Sequence, residues 1–538
     1  MDIQEESNNN LNLDKEYSNL SQIPLNESTI YYYNASKDNY KSKHFNKALM
    51  NILIYIKLVP NNPKAYILKG KIYMNLNKYE NGLNSFLRGI KLGEKSIEIL
   101  YGVARAYKEL YQFDDALKYY NKALEMEPTA KSHYLLANCL YSMGKKEHAI
   151  EVYDKALKLN PNYIDVYFHK GVCLSNLNMK EEAINMYNKT IQLNPNYVDA
   201  YFQRGYCYYN LTKYQKAMQE MNKVLELDPN YYQAYYEKGF CFQKMKRYEE
   251  AIIELSKAIK QNIYFEQAYF QRGYCCELIR DFSSAIKDYQ RVILLNKNSY
   301  MGFYRLGICL LQKKSLSEAL DMFNKAIALN RANYDAYYYK GMCQRYLKYY
   351  EDAIITFNYF LNCFAKSKSS TAREISEEQI GNVYYNKGRC LLSLGRYTEA
   401  IPMFTNYLRK NRNGYEVYFK RAVCYYNTHM YKKAIYDLTV LIQELKKNEE
   451  ENNKKGEEEK KLSKLYKNKS RKYINKNYED EDDYEYNNKK NIGHDDEEIR
   501  AEIYFLRSKA YININKIDSG LKDMNTFFEL IEIEKKKD

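Results

Sequence analysis

Long apolar runs are missing from this 538-residue sequence. The run at Ile52–Ile56 is stopped by Lys57 and is far shorter than the roughly 20 residues that a membrane helix needs. The acidic start at Met1–Glu6 lacks the basic flank and apolar stretch of a signal peptide. We therefore expect no membrane span and a cytoplasmic location, with the nucleus or a cilium as alternatives.

Catalytic and metal-binding motifs are missing as well. The 20 glycines form no phosphate-cradling loop, and the sequence has no nucleophile elbow or kinase signature. None of the six histidines stands at ligand spacing from cysteines or acids, and the 11 cysteines include no Cys-x-x-Cys pair. The sequence therefore predicts a protein with no enzyme activity, no metal and no cofactor.

Tryptophan is absent, but 45% of the residues are apolar, which is enough for a substantial core. What the sequence does contain is a periodic column of small residues. The column advances by a constant interval, apart from a first step that is one residue shorter: Ala116, Ala149, Ala183, Ala217, Ala251, Ala285, Ala319 and Ala353. A second small-residue column precedes the first by a fixed distance and includes Gly171, Gly205, Gly239, Gly273, Gly307 and Gly341. Small residues in both columns allow two helices to approach closely at one crossing point.

Two further features keep the same register. A large side chain, most often aromatic, follows the alanine by four residues, for example Tyr187, Tyr289, Phe323 and Phe357. This is helical spacing on a core face. Nine cysteines, from Cys139 to Cys424, stand two residues after the second column, where we expect small apolar packing and no disulfide or zinc site.

These columns, together with the closing prolines Pro60, Pro128, Pro161, Pro195 and Pro229, resemble the tetratricopeptide repeat, whose period is about 34 residues. Tyr or Phe replaces the family's leading Trp, as in the stretch Tyr201–Pro229. The resemblance implies an all-α fold, an antiparallel helix-hairpin solenoid that coils as a right-handed superhelix. We count thirteen repeats over about residues 29–531, with the weakest at the two ends as capping units.

Departures from the period predict the domain organisation. We expect a polar disordered tail at 1–28, repeats 1–10 at 29–363, a Ser/Lys-rich loop at 364–380 and repeats 11–12 at 381–445. A charged, low-complexity insert follows at 446–498, and a final hairpin with a basic tail occupies 499–538. The insert has a basic run around 460–476 and should be disordered or frayed helix.

Basic residues just before the second column have an acid at a fixed interval downstream. The pairs are Arg204 and Glu220, Lys238 and Glu254, Arg272 and Asp288, Arg421 and Asp437, and Arg507 and Asp523. We interpret them as exposed bridges between the two helices of a hairpin, worth up to about 1 kcal/mol each. Because the acids cancel much of the positive field, they disfavour a nucleic-acid stripe.

The family resemblance implies that first helices line a groove and that the residue after the leading aromatic points toward it. These residues are Tyr134, Phe168, Phe202, Tyr236, Phe270, Tyr304 and Tyr338. One helical turn on come Asn138, Tyr206, Phe240 and Tyr274. Aromatic side chains there suit peptide or helix recognition, although packing on the next repeat explains the first set equally well.

Specialised grooves of related proteins are not reproduced. The Lys, Asn and Arg clamp for chaperone tails is incomplete, because His169 and Gln203 replace its later residues, so a chaperone-associated adaptor is disfavoured. The asparagine ladder of glycosyltransferase relatives is also absent. We therefore predict a non-catalytic scaffold or adaptor that binds protein or peptide partners, as a subunit of a multiprotein assembly. The alternative is an RNA- or acidic-surface-binding protein, which the net charge of +15 allows.

Overall fold

The structure, a computed structural model, describes residues 27–367, 377–410, 415–443, 446 and 495–535. Every regular element in these ranges is an α-helix, and 26 helices pair into 13 antiparallel hairpins. This confirms the predicted all-α hairpin fold. The predicted disorder of the tail at 1–28 and of the insert at 446–498 concerns residues that lie almost wholly outside the described ranges. Within those ranges no helix is long and apolar enough to cross a membrane.

The chain forms two compact units, residues 1–268 and 269–538. The first unit contains fourteen helices: α1 (Glu27–Lys41), α2 (Phe45–Leu58), α3 (Pro63–Asn75), α4 (Tyr79–Lys91), α5 (Ile97–Glu109), α6 (Phe113–Met126), α7 (Ala130–Ser142), α8 (Lys146–Leu159), α9 (Ile164–Asn176), α10 (Lys180–Leu193), α11 (Val198–Asn210), α12 (Tyr214–Leu227), α13 (Tyr232–Lys244) and α14 (Tyr248–Gln261). Odd-numbered helices are the first helices of their hairpins.

The second unit contains nearly all of α15 and the remaining eleven helices: α15 (Glu266–Leu278), α16 (Phe282–Leu295), α17 (Tyr300–Gln312), α18 (Leu316–Leu329), α19 (Tyr334–Tyr346), α20 (Tyr350–Ser367), α21 (Glu377–Ser393), α22 (Tyr397–Lys410), α23 (Tyr415–Asn427), α24 (431–443), α25 (Asp495–Asn513) and α26 (Ile517–Lys535). Helices extend into the expected 364–380 loop from both sides, and α25 begins inside the expected insert.

The small-residue columns lie where the two helices of each hairpin cross. The alanines from Ala116 to Ala353 are fully buried, and so are the large side chains four residues on, such as Phe357. A Cβ added at Gly341 would lie 2.5 Å from the Phe357 ring. This clash explains why position 341 takes glycine, and it confirms the close crossing expected from the sequence.

A residue with left-handed backbone closes each hairpin. Gly144 and Asn178 suit this conformation, whereas the β-branched Thr212 adopts it at φ 57°. Between hairpins, Asn or Asp side chains fold the connection: Asn194 Oδ1 accepts the N–H of Asn196 at 3.1 Å, and Asp228 does the same for Asn230 at 3.0 Å. These turns end one helix and start the next, as the Asn-Pro-Asn pattern predicts.

All five predicted basic–acid pairs form. The N···O distances are 2.7 Å for Arg204–Glu220, 3.3 Å for Lys238–Glu254, 2.6 Å for Arg272–Asp288, 2.8 Å for Arg421–Asp437 and 2.7 Å for Arg507–Asp523. Their predicted exposure is wrong, because the acid side chains are only 1–14% exposed. The acids lie between packed helices, so these are buried pairs whose disruption leaves an uncompensated charge.

The cysteine column is buried throughout, which confirms its packing role. Burial raises the pKa of the Cys241 thiol to about 12. A thiol that remains protonated is a poor nucleophile and a poor metal ligand. These side chains therefore act as small apolar groups between neighbouring helices.

Candidate functional site

The first helices lie side by side within each unit. In the first unit each of α1, α3, α5, α7, α9 and α11 contacts the first helix of the next hairpin. In the second unit the same holds from α17 to α25. Each unit therefore presents a continuous face built from consecutive first helices, which we call the first-helix face.

The predicted residues that follow the leading aromatic pack mainly on the next hairpin. The ring of Tyr134 lies 5.3 Å from Tyr163. The same contact recurs at 5.1 Å between Phe168 and Tyr197, at 5.2 Å between Phe202 and Tyr231, and at 5.1 Å between Tyr236 and Phe265. In each case the partner aromatic stands just before the next first helix. This set is half-buried and connects successive hairpins.

The equivalent residues in the second unit differ in their packing partners and in their burial. Phe270 lies 5.6 Å from Tyr289, and Tyr338 lies 5.2 Å from Tyr339. Tyr304 is only 8% exposed, between Phe323 and Tyr339. Its predicted place on an accessible groove is therefore corrected, because the bulky Tyr339 covers it.

The four predicted groove residues one helical turn further on also differ in how accessible they are. Asn138 accepts a hydrogen bond from the buried Tyr153 hydroxyl, so its amide supports the core. Tyr274 is covered by the Arg305 guanidinium, which lies 4.8 Å from its ring centre. Tyr206 is 41% exposed and Phe240 is half-buried. Tyr206 and Phe240 therefore remain the accessible members.

Tyr206 and Phe240 belong to a larger aromatic surface on α11 and α13. Phe240 stacks on Tyr236 at 6.0 Å and packs against Tyr209 at 5.4 Å. Tyr209 lies on the Tyr206 side of α11, three residues further along the helix. We call Tyr206, Tyr209, Tyr236 and Phe240 the aromatic patch. Sequence reasoning missed Tyr209, although its position seven residues after Phe202 indicates the same helical face.

An isolated acid, Glu237, lies beside the aromatic patch. Burial raises the pKa of the Glu237 carboxyl to about 7, and this carboxylate contributes to raising the pKa of Tyr209. Lys244 lies over the Phe240 ring, with its Nζ 5.5 Å from the centre. The patch thus has aromatic walls with one acid and one base at its border.

A buried polar network occupies the corresponding face of the second unit. Arg305 Nη1 donates to Glu277 Oε1 at 3.0 Å, and the Tyr289 hydroxyl donates to Glu277 Oε2 at 2.9 Å. The Glu277 side chain is 1% exposed. Both carboxylate oxygens are therefore occupied from within the protein, and this network is structural.

Three family profiles match parts of the chain. The profile described as "Anaphase-promoting complex, cyclosome, subunit 3" matches residues 109–190 and 176–258. Two profiles described as "Tetratricopeptide repeat" match residues 279–333 and 385–445, and residues 63–95.

Curated relatives match over short stretches. The CTR9 homolog of Arabidopsis thaliana is 21% identical over 154 residues, which cover 28% of this chain and 14% of that protein. The mitochondrial import receptor subunit TOM70 of Saccharomyces cerevisiae is 37% identical over 59 residues, 11% of this chain and 10% of the relative. The chain thus spans only 14% and 10% of the lengths of these relatives.

Solved structures that match the chain include YrrB, a tetratricopeptide repeat protein with an unusual peptide-binding site. It is 24% identical with a TM-score of 0.31, over 35% of this chain and 96% of that chain. The Cut9–Hcn1 hetero-tetramer of the anaphase-promoting complex is 14% identical with a TM-score of 0.35, over 80% of this chain and 96% of that chain.

Proposed function

Because the chain belongs to the tetratricopeptide repeat proteins, we propose that it is a non-catalytic scaffold that binds an extended peptide or a helix of a partner protein on its first-helix face. The observation that carries this proposal is the aromatic patch of Tyr206, Tyr209, Tyr236 and Phe240. Proteins of this family typically bind other proteins, and the patch includes Tyr206, a predicted groove residue that is 41% exposed.

The chemistry of the aromatic patch suits a protein ligand. Tyr and Phe side chains offer large contact areas and lose little rotamer freedom on binding. The neighbouring rings of Tyr209, Tyr236 and Phe240 hold one another in place, so little ordering remains for the moment of binding. Tyr206 adds an exposed ring with a hydroxyl that can donate to a peptide carbonyl.

The charge of the first-helix face favours a protein over RNA. Basic residues near the start of the first unit have acidic neighbours: Lys71 pairs with Glu98 at 2.5 Å, and Lys108 pairs with Glu109 at 3.1 Å. The positions equivalent to Lys71 in the following hairpins are Arg105, Asn138, Val172, Tyr206 and Phe240, so this column carries no further base in the first unit after Arg105. A nucleic-acid groove needs a continuous basic track for the phosphates, and the described residues of this face provide none. The basic run at 460–476 lies outside the described residues.

Assembly into a larger complex fits the region that matches the subunit 3 profile. Residues 109–258 include the hairpins that carry the aromatic patch, and that profile describes a subunit of a multiprotein complex. We propose that this chain is likewise an assembly subunit, whose partner lies against α11 and α13.

Affinity purification with quantitative mass spectrometry tests the proposal. Tyr206→Ala/Phe240→Ala should lose at least one partner that the wild-type protein retains, because the two substitutions remove the accessible rings. The matched control is Tyr111→Ala/Tyr264→Ala, which removes two rings that are 81% and 72% exposed at connections between helices. Equal partner lists for all three proteins, with equal thermal stability, would refute the binding role of the patch.

A further inference from the structure

Two arginines on neighbouring first helices of the second unit have no acidic partner among the described residues. Arg345 lies near the end of α19, and Arg389 lies on α21. Both side chains are half-buried, and within the described residues neither forms an ion pair or a hydrogen bond. The Nε atom of Arg345 is fully buried without a hydrogen-bond partner.

Five other half-buried arginines on first helices are compensated. Each forms an ion pair: Arg204 with Glu220, Arg272 with Asp288, Arg305 with Glu277, Arg421 with Asp437 and Arg507 with Asp523. A guanidinium carries five N–H donors, and desolvating them without acceptors costs free energy. Arg345 and Arg389 therefore lack the acidic partner that these five arginines have.

The positive charges of both guanidinium groups affect the same two residues, Tyr385 and Cys390. Arg389 lies 5.6 Å from the ring centre of Tyr385, and Arg345 lies 4.2 Å from that of Tyr346. Burial raises the pKa of the Cys390 thiol to about 12, and the positive charges of Arg345 and Arg389 both oppose that rise. Both also favour the ionised form of Tyr385. Both charges therefore act on Tyr385 and Cys390 of α21, the helix that contacts α19 directly.

The acid Glu416 lies near Tyr385 and already has a partner. Glu416 pairs with Lys420 at 2.9 Å, and its carboxylate also interacts with the Tyr385 hydroxyl. Arg389 attracts Glu416 electrostatically but does not reach it as an ion pair. The local sum over Arg345, Arg389, Lys420 and Glu416 therefore remains positive.

We propose that Arg345 and Arg389 form a binding site for a carboxylate, supplied by an aspartate or glutamate side chain of a partner peptide. A carboxylate accepts hydrogen bonds from two guanidinium groups at once, and such charge-assisted bonds are strong in half-buried surroundings. The site rests on the proposed function, because it assigns a residue type to the peptide that the first-helix face binds. It lies in the second unit and is a separate site from the aromatic patch.

The neighbouring residues favour a peptide over an RNA phosphate. Each arginine has an apolar residue about one helical turn away on its own helix. Met342 precedes Arg345 on α19, and Leu392 follows Arg389 on α21. Val423 takes the position equivalent to Arg389 in the next hairpin. An isolated positive site among apolar side chains matches one acidic residue with apolar neighbours, whereas RNA would require a series of positive charges.

A fixed-position peptide library tests the site on the full-length protein. The probes are short peptides, acetylated and amidated at their ends, with uncharged residues at random around one fixed Glu or one fixed Gln. We expect wild-type protein to retain the Glu peptides about tenfold better, as charge-assisted hydrogen bonds allow. Arg345→Gln/Arg389→Gln should reduce this ratio to about one, and the control Arg105→Gln, at an exposed first-helix residue, should leave it unchanged.

Two results would overturn the site. One is a wild-type protein without a Glu preference, or a preference that survives in Arg345→Gln/Arg389→Gln. The other is a poly(U) oligonucleotide that binds the wild type and is lost in the same variant, which would assign the arginines to RNA. The scaffold proposal is judged separately by partner capture with Tyr206→Ala/Phe240→Ala, so one proposal can fail while the other stands.

Thermal unfolding separates a binding role from a structural one. Since Arg345 and Arg389 have no acceptor among the described residues, Arg345→Gln/Arg389→Gln should leave the Tm unchanged or raise it. Arg272→Gln, which breaks a buried ion pair, should lower the Tm clearly. A decrease in Arg345→Gln/Arg389→Gln as large as that in Arg272→Gln would show that the two arginines support the fold and would contradict the proposal.

Discussion

Arg507 and Thr439 are hydrogen-bonded although 68 residues separate them, with Arg507 Nη1 donating to Thr439 Oγ1 at 3.3 Å. The same bond joins Arg421 to Thr405 at 3.1 Å across only 16 residues. Arg204 makes it with Asn188 at 2.7 Å, also across 16 residues. The last hairpin therefore docks on its predecessor as the others do, independently of the length of chain between them.

Shortening that connection should leave the last hairpin in place. Replacing residues 445–500 by Asn-Pro-Asn-Tyr, the connection found at 194–197, restores the spacing of 16 residues between Thr439 and Arg507. We expect a cooperatively unfolding protein in which Arg507→Ala lowers the Tm as much as it does in the full chain. If Arg507→Ala has no effect on the Tm of the shortened chain, the last hairpin no longer packs on its predecessor. The proposal that it shares the register of the other hairpins would then be wrong.

The buried pair of Arg272 and Asp288 should be costly to break and cheap to replace. Arg272→Ala leaves Asp288, 6% exposed, without its cation, and we expect a loss of about 3 kcal/mol in the free energy of unfolding. Arg272→Leu/Asp288→Met installs the pair that the chain carries at Leu306 and Met322, and it should recover most of this loss. Denaturant titrations of the three proteins measure both effects. A double variant as unstable as Arg272→Ala would contradict the claim that an apolar pair can replace the ion pair.

Glu237 should make the stability depend on pH. Burial raises its folded-state pKa to about 7, so between the unfolded value near 4.5 and about 7 the folded protein binds more protons than the unfolded chain. This contribution to stability is present at acidic pH and is lost as the pH rises through 7. We expect Glu237→Gln to gain up to about 3 kcal/mol over wild type at pH 8 and nothing at pH 4. An equal difference at both pH values would show that the carboxyl is not buried in this way.

Thr212 should be replaceable by glycine with a gain in stability. Its backbone is left-handed at φ 57°, a conformation that β-branched residues avoid and that Gly144 adopts in an equivalent turn. Thr212→Gly should raise the free energy of unfolding by about 0.5–1 kcal/mol, and the β-branched control Thr212→Val should not. Chemical unfolding compares them directly, and a destabilised glycine variant would mean that the Thr212 side chain contributes something the backbone argument ignores.

Periodicity predicted the helical hairpins and the five basic–acid pairs, because a constant repeat register places equivalent residues in equivalent surroundings. It could not predict how far each groove residue is exposed, since exposure depends on single neighbours outside the column. Tyr304 is buried because the next repeat carries Tyr339, whereas Phe202 faces the smaller Glu237 at that position.

Arg345 and Arg389 likewise show a feature that periodicity could not predict. Sequence spacing identified the basic residues whose acid stands on the second helix of the same hairpin, and Arg345 and Arg389 lie on other faces of their helices. That no acid in the described part of the chain pairs with them depends on how α19, α21 and α23 pack together. The raised pKa of Glu237 likewise arises from burial between hairpins, which a single helix does not reveal.

Site-specific photo-crosslinking from Tyr206 tests the central claim most directly. A photoreactive phenylalanine derivative replaces Tyr206 on the first-helix face, and in a second protein it replaces Tyr436, which is 67% exposed on α24, a second helix. Binding on the first-helix face predicts that the partner captured in purification is crosslinked from position 206 and not from position 436. A partner crosslinked from position 436, with none from position 206, would contradict the account.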